Sequence, residues 1–351
     1  MTEKLNNFLE KCDAIYITSP HNLRYFTGFK GGEGTALVGK SFKYLFVDSR
    51  YTTQAQIEAP NFEVIEFTGG KKNAEIKAKL EKHHILSVCF EDEQMSYAEY
   101  SSAKNSFSNV EFQGISKELS MLRMVKTKDE LDNLRKAEQI GVDAFLKVLP
   151  LLEVGTAETD IAAELEYQMR KLGASGAAFD TIVVSGIKTS MPHGKPNSKK
   201  LENGDFVTMD FGCRYNGYCS DMTRTVVIGK ATDEQKKIYQ TVKQAQEVGL
   251  LAIKAGVSGK DADFAAREII EKAGYGRYFG HSLGHGVGLL IHELPNLSPL
   301  SNIKLEAGMI VTCEPGIYVP DLGGVRIEDM VCVTEDGIEN LTHLDKELLE
   351  L

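Results

Sequence analysis

The feature that most limits what this chain can fold into is a pattern that occurs twice. From Gly155 the chain reads G-x4-D-x12-G, with Asp160 and Gly173 bracketing the helical stretch IAAELEYQMRKL. From Gly256 it reads the same way, with Asp261 and Gly274 bracketing ADFAAREIIEKA. Each helix leads to a strand of matching form, GDFVTMDFG from Gly204 and GMIVTCEPG from Gly308, with an acid at the same place in both, Asp210 and Glu314. A second strand repeats the device, Gly217 leading by four residues to Asp221 and Gly324 by four to Glu328. A duplicated helix-plus-hairpin unit assembles most simply about a pseudo-two-fold axis, its strands forming a curved sheet and its helices covering the outer face. Four carboxylates, two from each half, are then expected to converge where the halves meet.

At 351 residues the chain exceeds the usual size of one compact domain, and the duplication occupies only its later part. The first third alternates short β-branched or aromatic runs with amphipathic stretches. AIYITS, TALVG, KYLFVD, FEVIEF and SVCFED read as strands, and residues 52–58 and 73–82 as helices. A charged stretch, RMVKTKDELDNLRKAEQ, then opens a long helix, so the boundary is placed near residue 120: a small mixed α/β domain over 1–120 and the duplicated domain over 121–351. The formal net charge of -10, with acids and bases interspersed, leaves no basic stripe to neutralise phosphates, so neither nucleic acid nor an anionic membrane is an expected partner. The start, MTEKLNNFLEKCDAIYITS, lacks the charged-then-apolar pattern of a signal peptide, and no apolar run approaches the roughly 20 residues that span a bilayer; a cytoplasmic protein is expected. Cys12, Cys89, Cys213, Cys219, Cys313 and Cys332 form no C-x-x-C pair and sit mostly in apolar stretches, as reduced, buried thiols do.

The acids point to chemistry. Asp210 and Glu314 end apolar runs, and Asp221 and Glu328 lie in or beside strands, where ionised groups are rarely buried unless paired. Any one of them alone reads as a solvated strand-end acid, but together they would repel one another strongly in a low-dielectric site. Two divalent cations would balance four carboxylates, and oxygen ligands suit manganese, cobalt or zinc. A two-metal site acidifies water, which makes hydrolysis the expected reaction. In VRIEDMVCV, period-two alternation puts Arg326 and Glu328 on one face and Asp329 on the other, so Glu328 is read as the ligand and Asp329 as a bystander. His281, His285 and His292 cluster in GHSLGHGVGLLIHELP. The glycines around His285 let backbone approach a metal or substrate, favouring a ligand role for it. His292 lies 36 residues after Gly256 and His193 lies 38 after Gly155, so they are near-equivalents that would flank the metals and bond a carbonyl or oxyanion.

The motifs DFGCRYNGYCSDMTRT, GHSLGHGVGLLIHELP, VTCEPGIYVP and GGVRIED closely resemble those of the methionine-aminopeptidase-like pita-bread metallopeptidases, in the proline-specific branch that contains aminopeptidase P and prolidase. NLRYFTGF and VDSRYTTQA resemble the creatinase-type N-terminal domain of that branch, so the resemblance covers essentially the whole chain. It implies Asp210, Asp221, His285, Glu314 and Glu328 as metal ligands, with Glu314 also the general base and acid. It further implies His193 and His292 as substrate-binding and oxyanion-stabilising groups, His281 as a further active-site histidine, and Arg326 as an important arginine beside the last ligand. Two divalent ions are implied, Mn2+ first with Co2+ or Zn2+ as alternatives, together with a homodimer in which one subunit's N-terminal domain borders the partner's active site.

The implied reaction is hydrolysis of the bond preceding proline, in peptides with proline in second position. A pocket for the pyrrolidine ring could be lined by Tyr215, Tyr218 or Phe179. A dipeptidase must also bind the carboxylate that follows proline, commonly with an arginine. Asn296 stands where some prolidase-like chains carry that arginine, and no lid insertion is evident in the N-terminal domain, so aminopeptidase P is the first reading and prolidase the alternative. Arg24 and Arg50 remain candidate anchors from a neighbouring subunit. A non-catalytic peptide-binding protein on the same fold would show lost ligands, basic tails or low-complexity extensions, none of which these residues contain.

Overall fold

The computed structural model describes residues 2–351; Met1, with which the start and the N-terminal domain were read, lies outside them. It divides into two compact units, one up to Leu122 and one from Arg123 on.

The first unit comprises β1 (Ala14–Ile17), α1 (Pro20–Thr27), β2 (Thr35–Gly39), β3 (Lys43–Asp48), α2 (Thr52–Glu58), β4 (Glu63–Phe67), α3 (Lys72–Lys82), β5 (Ser87–Phe90), α4 (Tyr97–Ser106), β6 (Glu111–Gly114) and α5 (Ser116–Met121). Its six strands make one mixed sheet in the order β4-β3-β2-β1-β5-β6. The sequence signals α1 by its punctuation: the Ser19 hydroxyl accepts from the Asn22 amide, Pro20 sits in the first turn, and Gly28 closes the helix at φ 87°. Fully buried Glu91, just past β5, accepts hydrogen bonds from the Ser19 amide at 2.8 Å and the Asn22 amide group at 2.6 Å, tying the strand to the helix start.

The second unit runs α6 (Lys128–Val148), α7 (Glu158–Lys171), β7 (Gly176–Ala177), β8 (Ile182–Ser185), β9 (Phe206–Phe211), β10 (Cys213–Tyr215), β11 (Tyr218–Cys219) and β12 (Met222–Val227) in its first half. The second half runs α8 (Asp233–Ala252), α9 (Gly259–Lys272), β13 (Gly284–Gly286), β14 (Glu293–Leu297), β15 (Ile310–Cys313), β16 (Gly316–Val319), β17 (Gly323–Arg326), β18 (Asp329–Val333) and β19 (Ile338–Asn340). The duplication therefore reaches beyond the motif. Each half opens with a long helix begun by a capping box, Thr127 with Glu130 and Thr232 with Gln235, followed by a 14-residue helix. Apart from Gly217 and Gly324, the matched glycines share one backbone need. Gly155 and Gly256 have φ of 97° and 85°, and Gly204 and Gly308 of 92° and 90°, a left-handed conformation that side chains strain.

The strands form antiparallel sheets, β12-β9-β8 in one half and β14-β13-β15-β18-β19 in the other, linked by an isolated bridge between Thr223 and Glu328. The long helices pack closely on the strands that carry the acids. A Cβ on Gly249 of α8 would come within 2.9 Å of the Cys313 sulfur, next to Glu314, and Gly141 of α6 lies against Met222, next to Asp221. Buried Ala137, Ile140, Ala144, Phe145 and Val148 give α6 its apolar stripe, and each large side chain so removed from water contributes about 1.5–3 kcal/mol. All six cysteines are buried free thiols. Among the described residues no helix is long and apolar enough to cross a membrane.

Candidate active site

The second unit holds a cavity of about 540 Å³, and all nine residues singled out from the sequence line it: Asp210, Asp221, His285, Glu314, Glu328, His193, His281, His292 and Arg326. The strand architecture explains the convergence. Asp210 sits in β9, paired across β12 with Thr223 and across β8 with Ile182, so these three side chains share a face. Asp221 immediately precedes β12, Glu314 immediately follows β15, and Glu328 lies between β17 and β18. The Glu314 amide is pinned to the Leu283 carbonyl at 2.8 Å and the Glu328 amide to the Thr223 carbonyl at 3.1 Å.

His285 occupies the centre of β13. The reading of its flanking glycines as room for metal or substrate needs correction. A Cβ on Gly284 would lie 2.0 Å from the Thr312 carbonyl oxygen, and one on Gly286 2.4 Å from that of Leu294, so the glycines are required by the packing of β13 between β14 and β15. The His285 Nδ1 lies 3.2 Å from the Gly286 carbonyl, which makes Nδ1 the donor and turns Nε2 toward the acids, 3.2 Å from Glu314 and 3.5 Å from Asp221. Donor atoms of Asp221, His285 and Glu328 all lie within 4.8 Å of one another, a group that could hold a metal ion. The other two acids are turned to protein partners: Asp210 accepts from Arg326 at 2.5 Å, and Glu314 accepts from the Thr312 hydroxyl at 3.0 Å.

Electrostatics mark the same place. Burial, then the charge of Glu328, pushes Asp221 well above the usual carboxylate range, and burial, then Glu314, does the same to Glu328. Asp210 is raised by burial against the pull of Arg326. Burial also opposes the charge on Glu314, but the hydrogen bond and charge of His285 overcome it and hold Glu314 at about 2. Oδ1 of Asp210 is buried with no hydrogen-bond donor. Crowded carboxylates, an orphaned oxygen and an imidazole nitrogen aimed among them form a donor set suited to divalent cations.

Around this core lie groups that the sequence reading did not single out. The Tyr318 hydroxyl accepts from Arg326 at 2.8 Å and donates to Nε2 of His281 at 2.9 Å, while Nδ1 of His281 faces the Ser282 carbonyl at 2.8 Å. That chain fixes His281 as a neutral ring, in keeping with burial lowering its pKa. Thr223 donates to Glu328 at 2.6 Å and accepts from Nε of Arg326 at 3.1 Å. Thr312 could have been found, because T-x-E places it on the same strand face as Glu314. Asp329 is no mere bystander: fully buried, it pairs with Arg224 and Lys346, each at 2.8 Å, and Arg224 also donates to the Glu328 carbonyl at 2.7 Å. Of the three aromatics considered for the ring pocket, Phe179 lines the cavity, with Ile182, Pro192 and Ile291; Tyr215 and Tyr218 instead pack against hydrophobic clusters.

A model of metallopeptidase family M24 matches residues 132–335, more than half of the chain. The chain belongs to metallopeptidase family M24. Residues 3–125 match the creatinase/prolidase N-terminal domain. A solved Xaa-Pro dipeptidase from Bacillus anthracis is 42% identical with a TM-score of 0.97, covering 100% of this chain and 99% of that one. An Xaa-Pro dipeptidase of Pyrococcus furiosus is 40% identical over 99% of each chain. The X-Pro aminopeptidase structure from Thermotoga maritima is 40% identical with a TM-score of 0.92, covering 98% of this chain and 100% of that one. The pita-bread fold and creatinase-type N-terminal domain expected from the motifs are thus those of an M24 peptidase.

Proposed function

We propose that this M24 peptidase is an Xaa-Pro dipeptidase, hydrolysing the bond between an N-terminal residue and a C-terminal proline. The observation that carries the reading is the gathering of four acids and four histidines from both halves in one cavity, in a chain whose dipeptidase relatives match it end to end. It reverses the preference drawn from Asn296 and from the lack of a lid insertion. Aminopeptidase P remains the second reading. It is favoured by the neutral Asn296 in the cavity wall and by the likeness to the Thermotoga enzyme.

Asp210, Asp221, His285, Glu314 and Glu328 would hold two divalent cations, which supply Lewis acidity to activate water and polarise the scissile carbonyl. Glu314, a carboxylate throughout the neutral range, accepts the proton of the attacking water and returns it to the proline nitrogen as the bond breaks. His193 and His292 line the same cavity and offer ring N–H donors to the carbonyl oxygen as it gains charge. Burial, and after it the charge of His285 in the metal-free site, lowers the pKa of His292. Phe179, Ile182 and Ile291 give the pyrrolidine ring an apolar surface, and proline, lacking an amide N–H, asks for no acceptor there. Manganese as the preferred cation, a homodimer and a cytoplasmic location complete the proposal.

The test is hydrolysis of Ala-Pro and Ala-Pro-Ala by manganese-loaded enzyme beside a chelated control. Cleavage of the dipeptide alone is the expected result. Cleavage of the tripeptide alone makes the enzyme an aminopeptidase P, and no cleavage of either with metal bound removes the catalytic reading.

A further inference from the structure

A dipeptidase has to hold the free carboxylate of its substrate's proline, and the groups assigned so far do not. Building on the dipeptidase reading, we propose that Lys195 is the anchor for that carboxylate and sets the enzyme's preference for dipeptides. Two side chains with a fixed positive charge line the cavity, Lys195 and Arg326. Arg326 is committed: its side chain is 4% exposed and donates to Asp210, Tyr318 and Thr223 at 2.5, 2.8 and 3.1 Å. A substrate carboxylate could recruit it only by breaking a buried ion pair and dislodging Asp210, at a large cost. His281 is fixed between Ser282 and Tyr318, and His285 is turned to the acids.

Lys195 differs on each count. Its side chain is 77% exposed, and its ammonium meets Asp180, itself 88% exposed, at 3.0 Å. Exposed ion pairs of this kind are weak and exchange readily, and an ammonium has three donors, so Lys195 can take a substrate oxygen while keeping or releasing Asp180. It follows His193 by two residues in the same loop, and Pro196 restricts its backbone toward an extended conformation. The residue that binds near the scissile carbonyl and the one that would bind one residue further on are thus set side by side. Asn296, which also lines the cavity and pairs with His285 in the β13–β14 register, carries no charge. The positive charge that dipeptide recognition demands is therefore supplied by the loop from the first half, and Asn296 is left as a neutral donor. Asp180 competes with the substrate for Lys195, which makes the grip modest and sensitive to salt.

The experiment measures KM and kcat of the manganese-loaded enzyme for Ala-Pro and for Ala-Pro-amide, which lacks the free carboxylate. In Lys195→Met, KM for Ala-Pro is expected to rise about tenfold, as for loss of one hydrogen bond to a charged group, with no such rise for the amide. Asp180→Asn, which removes the competitor, should lower KM for Ala-Pro alone, and adding Asn296→Arg to Lys195→Met should restore it. Unchanged KM in Lys195→Met, or an equal rise for both substrates, overturns the anchor while leaving the dipeptidase reading intact. A wild-type enzyme that cuts Ala-Pro-Ala and spares Ala-Pro overturns that reading and the anchor with it.

Discussion

Replacing Arg224 by methionine tests whether the wall of the active site is held by the buried ion network behind Glu328. Arg224 lies in β12 with its side chain 3% exposed, and donates to Asp329 Oδ1 at 2.8 Å, to the Glu328 carbonyl at 2.7 Å and to the Thr223 carbonyl at 3.0 Å. Methionine keeps much of the stem and removes every donor. Breaking a buried ion pair from one side costs about 3–5 kcal/mol, chiefly because the remaining charge is stranded. Here Lys346 and Asn340 still hold Asp329 by its other oxygen, each at 2.8 Å, so the lower end, about 3 kcal/mol, is expected. For a unit of this size each kcal/mol shifts the midpoint by about 2–4 °C, so the metal-free variant should melt about 6–12 °C below wild type. Thermal unfolding by circular dichroism at pH 7 measures the shift, and a cycle with Asp329→Asn isolates the pair, with a coupling of at least about 2 kcal/mol expected. Loss of the bond to the Glu328 carbonyl should also weaken manganese binding by at least about tenfold in calorimetry. A melt within about 2 °C of wild type, or strictly additive single changes, would refute the reasoning.

Glu314→Gln should abolish turnover of Ala-Pro in a protein that still folds and binds metal; retained turnover in a metal-replete variant would remove Glu314 from its proton-transfer role. Tyr318→Phe takes away the hydroxyl between Arg326 and His281, and kcat should fall roughly ten- to hundredfold as those groups lose registration. Steady-state kinetics at saturating manganese with unaltered kcat would show that the hydroxyl is dispensable. In the first unit, amides of Leu86 and Ser87 donate to Asp13, both at 2.9 Å, and these bonds, that of Leu86 foremost, hold the carboxyl below its ordinary range. A lowered folded-state pKa stabilises above the unfolded value of about 3.9 and loses that contribution as pH falls through the folded value. Asp13→Asn should therefore reduce hydrogen-exchange protection of those two amides at pH 7, by an amount that shrinks as the pH falls into the acid range; a loss that does not shrink would contradict the assignment.

What could be read from the sequence was whatever a local period or a backbone requirement writes into neighbouring residues. The five N-terminal strands, α2 and α3 follow from alternation and amphipathic spacing, and Asp210 and Glu314 follow from Gly204 and Gly308, whose left-handed backbone recurs in both halves. Among the elements missed, β6 is an edge strand with little burial, α4 has no apolar stripe and is begun by a cap at Ser96, and α1, capped at Ser19, spans only eight residues. The supports of the site were hidden for a different reason. Thr223 reaches Glu328 and Arg224 reaches Asp329 across separations of 105 residues, from one half of the duplication to the other, and no spacing within either half encodes them. Nor does the repeat predict them by symmetry. Thr208 stands two residues before Asp210 as Thr312 stands two before Glu314, yet Thr312 bonds Glu314 at 3.0 Å while Thr208 bonds Thr225 at 3.0 Å and Asp210 accepts from Arg326. The duplication thus fixes where the acids stand, and the cross-half partners decide what each one does. This asymmetry is why Lys195 and Asn296, which line one cavity, need not share a role with any residue at a matching position in the other half.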